Sequence, residues 1–494
     1  MNLNRLHLVV FWSFFFLFLV TSASVLFFTF GYRFSFDRGI FVYTGSITIK
    51  ANPRLVTLFL DGKRVSDDMI HDINQSLHMT GLSPGEHFLR VEADGFQPWE
   101  KKIVIQSGIS TEFWNILLPR ISYERTMFSE GPYTKVFPSP TRKYFAIIGE
   151  KDGKTTLSVL ERKTGTSEQV FSIQDLRFAA EDGRNVEWSK DEDSFLIPLR
   201  SPNQNEGSVY LVDRQSGTAT NLADIAAIPN PENPRWHPNN DGTFFVFSRD
   251  TLFLVRPEID AIEKRVVTVA KDISAYDLSG RYAAILGRGS GAVSLIPFGN
   301  MEGERNEPVL ATIPGATDFD QPLINAYDEK RIAVYDRNGT GFLWNDDGKL
   351  EPSLIPFGNG IVGVQFSDDG KKLLFFTDNE ISVVFTRDWD VQPARKNGEI
   401  LQVVRFSSTI SETQWSKDYE HVLFEQGGAI KIAELDNRDR RSIETLIQPF
   451  GRPLLQILPL PSENELYALS GKDDTGSASF FFVRFPEPVG IFGQ

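Results

Sequence analysis

The chain contains no cysteine. Disulfides, thiolate metal sites and a cysteine nucleophile are therefore excluded. Histidine is scarce: His7, His71, His78, His87, His237 and His421 are the only six in 494 residues. None falls in an H-E-x-x-H arrangement or another zinc-ligand spacing. Positive charge is also in short supply, with 51 Lys and Arg against 65 Asp and Glu, for a net charge of −14. Such a balance repels phosphate backbones, and no basic stripe overrides it, so nucleic acid is not expected as a partner.

What is present points to β-structure. Hydrophobic residues make up 41% of the chain, enough for a large core, and 41 of its residues are Phe. Aromatic richness favours strands. The 38 Gly and 27 Pro supply many turns. The length suits two or three domains.

Residues 8–30 read LVVFWSFFFLFLVTSASVLFFTF, without a charge. As a helix they would span roughly 34 Å, enough for the hydrocarbon core of a bilayer. Trp12 and Tyr32 are placed to sit at the two interfaces. Thr21-Ser22-Ala23-Ser24 resembles a cleavage site, but apolar residues resume after it. The run also exceeds the usual signal-peptide core of roughly 7–15 residues. The expected organisation is a short flank at 1–7, a transmembrane helix at 8–31 and a linker at 32–44. Arg5 precedes the helix while Arg33 and Arg38 follow it, so the positive-inside rule does not decide orientation. An N-terminal anchor before a long soluble region is the usual export arrangement. It implies a single-pass protein of the cell membrane with its C-terminal region outside the cytoplasm.

Residues 45–119 read as a small β-sandwich. Ser46–Lys50 alternates with period two, and Leu55–Leu60 runs into Asp61-Gly62, a hairpin signal. Pro84-Gly85 makes a turn before the alternating Phe88–Phe96. Lys101–Ile105 and Phe113–Leu117 complete about six or seven strands. The order of strand, Asp-Gly, strand, then Pro84-Gly85-Glu86-His87 and Gly95-Phe96, resembles a PEGA domain over about 70 residues. The resemblance implies a surface-associated, non-catalytic β module of prokaryotes, placed beside an anchor or a repeat domain. It departs from the family in the order of its name motif. His87, beside this turn, reads as a turn-stabilising residue.

From 120 to 494 the sequence repeats. The unit is an aromatic, a short Ser/Pro/Asp/Gly turn, a strand, a second turn and a third strand. Copies begin at Phe137-Pro138-Ser139-Pro140, Trp188-Ser189-Lys190-Asp191, Trp236-His237-Pro238-Asn239 and Tyr276-Asp277-Leu278-Ser279-Gly280. They continue at Phe366-Ser367-Asp368-Asp369-Gly370 and Trp415-Ser416-Lys417-Asp418. Asn325-Ala326-Tyr327-Asp328 and Leu458-Pro459-Leu460-Pro461 are degenerate copies. From Phe137 to Leu458 there are 321 residues in seven intervals, about 46 each, the period of four-stranded propeller blades. A lone blade cannot bury both faces, whereas a closed ring can. The expected fold is all-β: helix, sandwich, then a propeller of eight blades, or seven if the copy at Asn325 is not a blade. The last repeat offers three strands, Leu455–Leu458, Glu465–Leu469 and Phe480–Val483. Tyr123–Phe128 is expected to strap the ring shut as its fourth. The pattern resembles WD-repeat-like and TolB-like propellers. The lack of regular Trp-Asp endings favours the TolB-like variety.

No catalytic motif emerges. Gly287-Arg288-Gly289-Ser290-Gly291 fails as a nucleophile elbow because Arg288 is misplaced. Asn345-Asp346-Asp347-Gly348 and Asp368-Asp369-Gly370 lack the twelve-residue, Glu-ended calcium loop. The expectation is a non-enzymatic, membrane-anchored scaffold without cofactor or metal, binding a protein or an envelope glycan. Two alternatives remain: an envelope assembly factor acting through the PEGA-like unit, and a propeller hydrolase with paired carboxylates in the funnel. No binding residue can be named from the sequence.

Overall fold

The computed structural model describes residues 3–35, 39–179, 185–202, 207–240, 242–258, 265–301, 308–349, 351–449, 451–460 and 464–485. Arg38 and Pro461 lie outside them.

The chain opens with a helix, Leu3–Thr29. Its Leu8–Thr29 portion is long and apolar enough to cross a membrane, with a mean hydropathy of 2.2 and none of its residues buried against the rest of the chain. Two of the hydroxyls in the stretch that resembled a cleavage site, those of Thr21 and Ser24, are satisfied within the helix. Thr21 Oγ1 donates to the Leu17 carbonyl at 2.8 Å and Ser24 Oγ to Val20 at 2.8 Å, as lipid requires of polar groups. The helix stops at Gly31, whose φ of +86° suits glycine.

The stretch expected to be linker is structured: Tyr32–Ser35 and Ile40–Tyr43 pair as an antiparallel hairpin. Two four-stranded sheets follow. One orders Ser110–Leu117, Gly45–Asn52, Ser76–Leu82 and Ile70–Ile73; the other orders Lys63–Arg64, Thr57–Leu60, Gly85–Glu92 and Trp99–Ile105. They enclose a core of Ile47, Ile49, Met79, Leu89, Val91, Ile103 and Phe113. The Ile70–Ile73/Ser76–Leu82 hairpin went unread in the sequence because its turn is Asn74-Gln75. Both residues take positive φ, +51° and +63°, the geometry usually announced by Asn-Gly.

Among the described residues, eight consecutive antiparallel sheets follow. Seven run in sequence order, the second with its first strand split into Arg177–Phe178 and Glu187–Trp188. Neighbouring first strands pack or hydrogen-bond to one another around the ring, so they are innermost and the molecule is a β-propeller. The degenerate copy Asn325–Asp328 lies on such a strand, Leu323–Asp328.

The eighth sheet contributes Leu454–Leu460, Glu465–Ser470 and Ala478–Arg484, and its outer strand comes from the start of the propeller. That strap is Thr126–Gly131, not Tyr123–Phe128. The shift has a cause. Tyr123 is occupied elsewhere, its ring against Phe485 at 5.7 Å and its hydroxyl accepting from the Arg120 amide at 3.1 Å. Phe128 then reaches the closure core of Phe145, Tyr467 and Phe480.

Candidate functional site

The sequence motifs prove to be turn chemistry. In four sheets the Ser after the aromatic donates its amide to the carbonyl five residues on: Ser139 to Tyr144, Ser189 to Ser194, Ser367 to Lys372 and Ser416 to His421, each at 2.9 Å. The fourth residue of each turn, Arg142, Glu192, Gly370 or Tyr419, has positive φ. Asp369 Oδ1 accepts from Ser367 Oγ and the Lys371 amide. Asp346 and Asp347 accept from the amides of Gly348 and Lys349. Ser290 Oγ accepts from the Ala292 amide. His87 is clamped between Asp61 at 2.7 Å and the Ser83 carbonyl at 2.8 Å. His237 accepts from the Asn239 amide and lies against Phe245 and Phe298.

The aromatic of the motif has its own function. Trp188 Nε1 donates to the Phe137 carbonyl, Trp236 Nε1 to Glu187 and Trp415 Nε1 to Gln365, at 3.2, 3.0 and 3.0 Å. Each indole thus stitches its inner strand to the preceding one. Where the inner strands line the channel, Arg235 bridges Glu187 at 3.3 Å and Asp277 at 3.0 Å. Asp277 also accepts from the Ala326 amide, so this cluster links sheets two to five. Burial outweighs the Arg235 charge and raises the Glu187 pKa. Burial also pushes the nearby Tyr335 hydroxyl up to about 12.

The most heavily built polar site joins sandwich to propeller, and no sequence motif announced it. In the strand Trp99–Ile105, alternate residues turn inward, and Lys101 occupies an inward position. Its side chain is completely buried. The ammonium lies 2.7 Å from Glu434 Oε1 and donates to the carbonyls of Asp436, Arg438 and Arg440 at 2.9, 2.9 and 3.0 Å. Glu434 also accepts from Trp99 Nε1 at 3.0 Å and the Ser442 amide at 2.7 Å. A buried charge is tolerated only when satisfied in this way. Arg438 grips Asp436 through Nε and Nη2, stacks 3.9 Å from the Phe113 ring and donates to the Glu112 carbonyl at 2.7 Å. Burial opposes ionisation of Asp436, but Arg438 overcomes it and lowers the pKa. Gln392 reaches from the sixth sheet, accepting from the Glu112 amide and donating to the Ser110 carbonyl. Beside these groups lies a cleft of about 50 Å³ walled by Trp99, Phe113, Trp389, Arg395 and Arg438. It has room for a few waters rather than for a peptide.

Behind Glu434 lies His421, buried, with Nδ1 2.7 Å from Asp418 Oδ2. Burial works against the charged ring, yet Asp418 outweighs it and raises the His421 pKa. Lys372 pairs with Glu420 next to it.

No family model and no curated protein matches the chain. Among solved structures, it resembles the C-terminal WD40 domain of Sif2 at TM-score 0.47 and 11% identity, covering 74% of this chain and 100% of that one. The β-propeller domain of Myceliophteria thermophila Cps50 (Swd1) follows at TM-score 0.41, 14% identity and coverage of 72% and 99%. Kluyveromyces lactis Hsv2 matches at TM-score 0.34, 12% identity and coverage of 62% and 98%. The propeller assignment itself rests on the order of the sheets.

Proposed function

We propose that the chain is a non-enzymatic, membrane-anchored scaffold. The helix spans the cell membrane, and the propeller stands outside the cytoplasm, presenting a loop face or its channel to a protein or glycan. The reading of residues 45–119 as a PEGA-like module is supported by the motifs at Pro84–His87 and Gly95-Phe96, and it fits a spacer between anchor and propeller.

The observation that carries this reading is the buried joint. In an antiparallel meander, the turns after the first and third strands emerge on one face. The sandwich engages the segments after the third strands of sheets six and seven, at Gln392 and at residues 436–440. It therefore covers part of that face, and among the described residues it leaves the opposite face of the ring open. A satisfied buried ammonium fixes this pose, which suits a platform that must present one face.

The test combines protease accessibility on intact cells with proximity labelling from the propeller, with and without residues 1–31. The scaffold reading expects cleavage of the propeller in intact cells and a partner set lost when the helix is removed. A propeller protected until the cells are lysed would overturn the external placement. An unchanged partner set without the helix would overturn the role of the anchor.

A further inference from the structure

The hairpin that follows the helix does not continue away from it. Phe41, on its second strand, packs against Phe27 in the last turn of the helix at 5.8 Å, and Tyr32 packs on Phe27 at 5.4 Å. Tyr43 stacks on Tyr32 at 5.1 Å, and Phe34 meets Phe41 edge-on at 5.3 Å. The hairpin therefore folds back beside the helix end, and its aromatics continue the apolar helix surface without a break. Phe34, Phe41 and Tyr43, which share one face of the hairpin, remain 43%, 59% and 43% exposed. Ile109 adds a further exposed apolar side chain on the sandwich loop that touches Tyr43, where the Gly108 amide donates to the Thr44 carbonyl. In water such a patch is a liability.

Arg33 supplies the polar counterpart. Its guanidinium lies 3.4 Å from the Phe28 ring centre and donates to the Phe28 carbonyl at 2.8 Å. It caps the helix C-terminus with positive charge, the sign favoured there. Aromatic rings, tyrosine hydroxyls and an arginine collected at the end of an apolar helix are the composition of the membrane–water interface.

The geometry points to a second membrane contact: the Tyr32–Tyr43 hairpin lies in the interface of the bilayer that the helix crosses, with the face that carries Phe34 and Phe41 among the lipid headgroups. The inference rests on the anchor reading given above. The occupant is lipid, because the exposed face is continuous with the helix surface that faces lipid. Neutral lipid suffices, since rings rather than a basic cluster make the contact. Through the sandwich and the Lys101 joint, the hairpin then sets how the propeller stands on the membrane.

The cysteine-free chain makes the test direct. Single variants Phe34→Cys, Val20→Cys and Lys163→Cys of the full-length protein carry an environment-sensitive fluorophore in phosphatidylcholine vesicles. The vesicles contain lipid spin-labelled either near the headgroup or near the acyl terminus. Phe34 lies on the aromatic face at the edge of the ring cluster, so labelling it keeps the contacts among Phe27, Tyr32, Phe41 and Tyr43. The expected result is quenching at position 34 about twofold stronger by the shallow than by the deep spin label, the reverse at position 20, and neither at position 163. Quenching at 34 by aqueous iodide alone, with 20 still quenched by lipid, overturns the hairpin contact and leaves the anchor standing. Shielding of 34 from both lipid and iodide also overturns it, in favour of a protein neighbour. Loss of lipid quenching at 20 as well overturns the anchor and the hairpin contact together.

Discussion

Lys101 shows how much one residue can decide. A lysine inside an alternating strand would ordinarily be turned to water, since burying its charge unpaired is prohibitive. Here four oxygens surround it. Lys101→Met removes the cation and leaves the Glu434 carboxylate buried with fewer partners. The expected loss is about 3–5 kcal/mol, measured by denaturant unfolding. Lys101→Met with Glu434→Gln is expected to recover part of it, because neither charge is then left alone. His421 and Asp418 give a pH dependence of opposite sign on each side of their window. The His421 pKa is raised, so its contribution is fully present below the ordinary value of 6.5 and fades as pH climbs through the raised value. The Asp418 pKa is lowered against the pull of burial, chiefly by the His421 charge. Its contribution is present above 3.8 and is lost as pH falls through the lowered value. Unfolding midpoints across pH 4–9 are expected to decline at the alkaline end. His421→Gln is expected to flatten that decline.

At the scale of elements, the repeat motif does two jobs in one stretch. Its Ser-led turn reverses the chain, and its aromatic ties neighbouring inner strands together. Trp415→Phe removes the indole donor together with the pyrrole half of a buried ring, leaving the Gln365 carbonyl without its partner and a small cavity beside it. A loss of about 2–4 kcal/mol is expected in thermal or denaturant unfolding. The strap is held by its ladder to Ala478–Arg484 and by one aromatic wedge. Phe128 meets Phe145, Tyr467, Phe480 and Phe482 at centroid distances of 5.8–6.2 Å. Phe128→Ala is expected to cost about 2–4 kcal/mol. Hydrogen exchange should locate the damage: amides of Ala478–Arg484 lose protection, while those of the third and fourth sheets keep theirs.

For the whole molecule, the joint is expected to make sandwich and propeller unfold together. Calorimetry of the full chain in detergent should show one transition. Lys101→Met should separate it into two, with faster proteolysis between residues 119 and 126. A native chain already giving two independent transitions would show that the domains are uncoupled and would remove the basis for a fixed presentation pose.

The chain's local chemistry announced most of the architecture. The uncharged run of residues 8–30, the alternation around Phe88–Phe96 and the aromatic–turn–strand repeat depend on period and composition, which sequence displays directly. The strap was legible to within a few residues, because a three-stranded last repeat must borrow a strand. Only tertiary structure decided which residues that strand used, since Tyr123 was claimed by Phe485. It also decided that the linker folds back on the helix, and that Asn74-Gln75 turns a hairpin without glycine. The joint was the least legible part. Lys101, Glu434 and Arg438 are ordinary residues of ordinary strands and loops, the first separated from the other two by more than three hundred positions. Only Lys101's inward register hinted at a partner, and that partner exists only once the ring has closed and brought the seventh sheet against the sandwich.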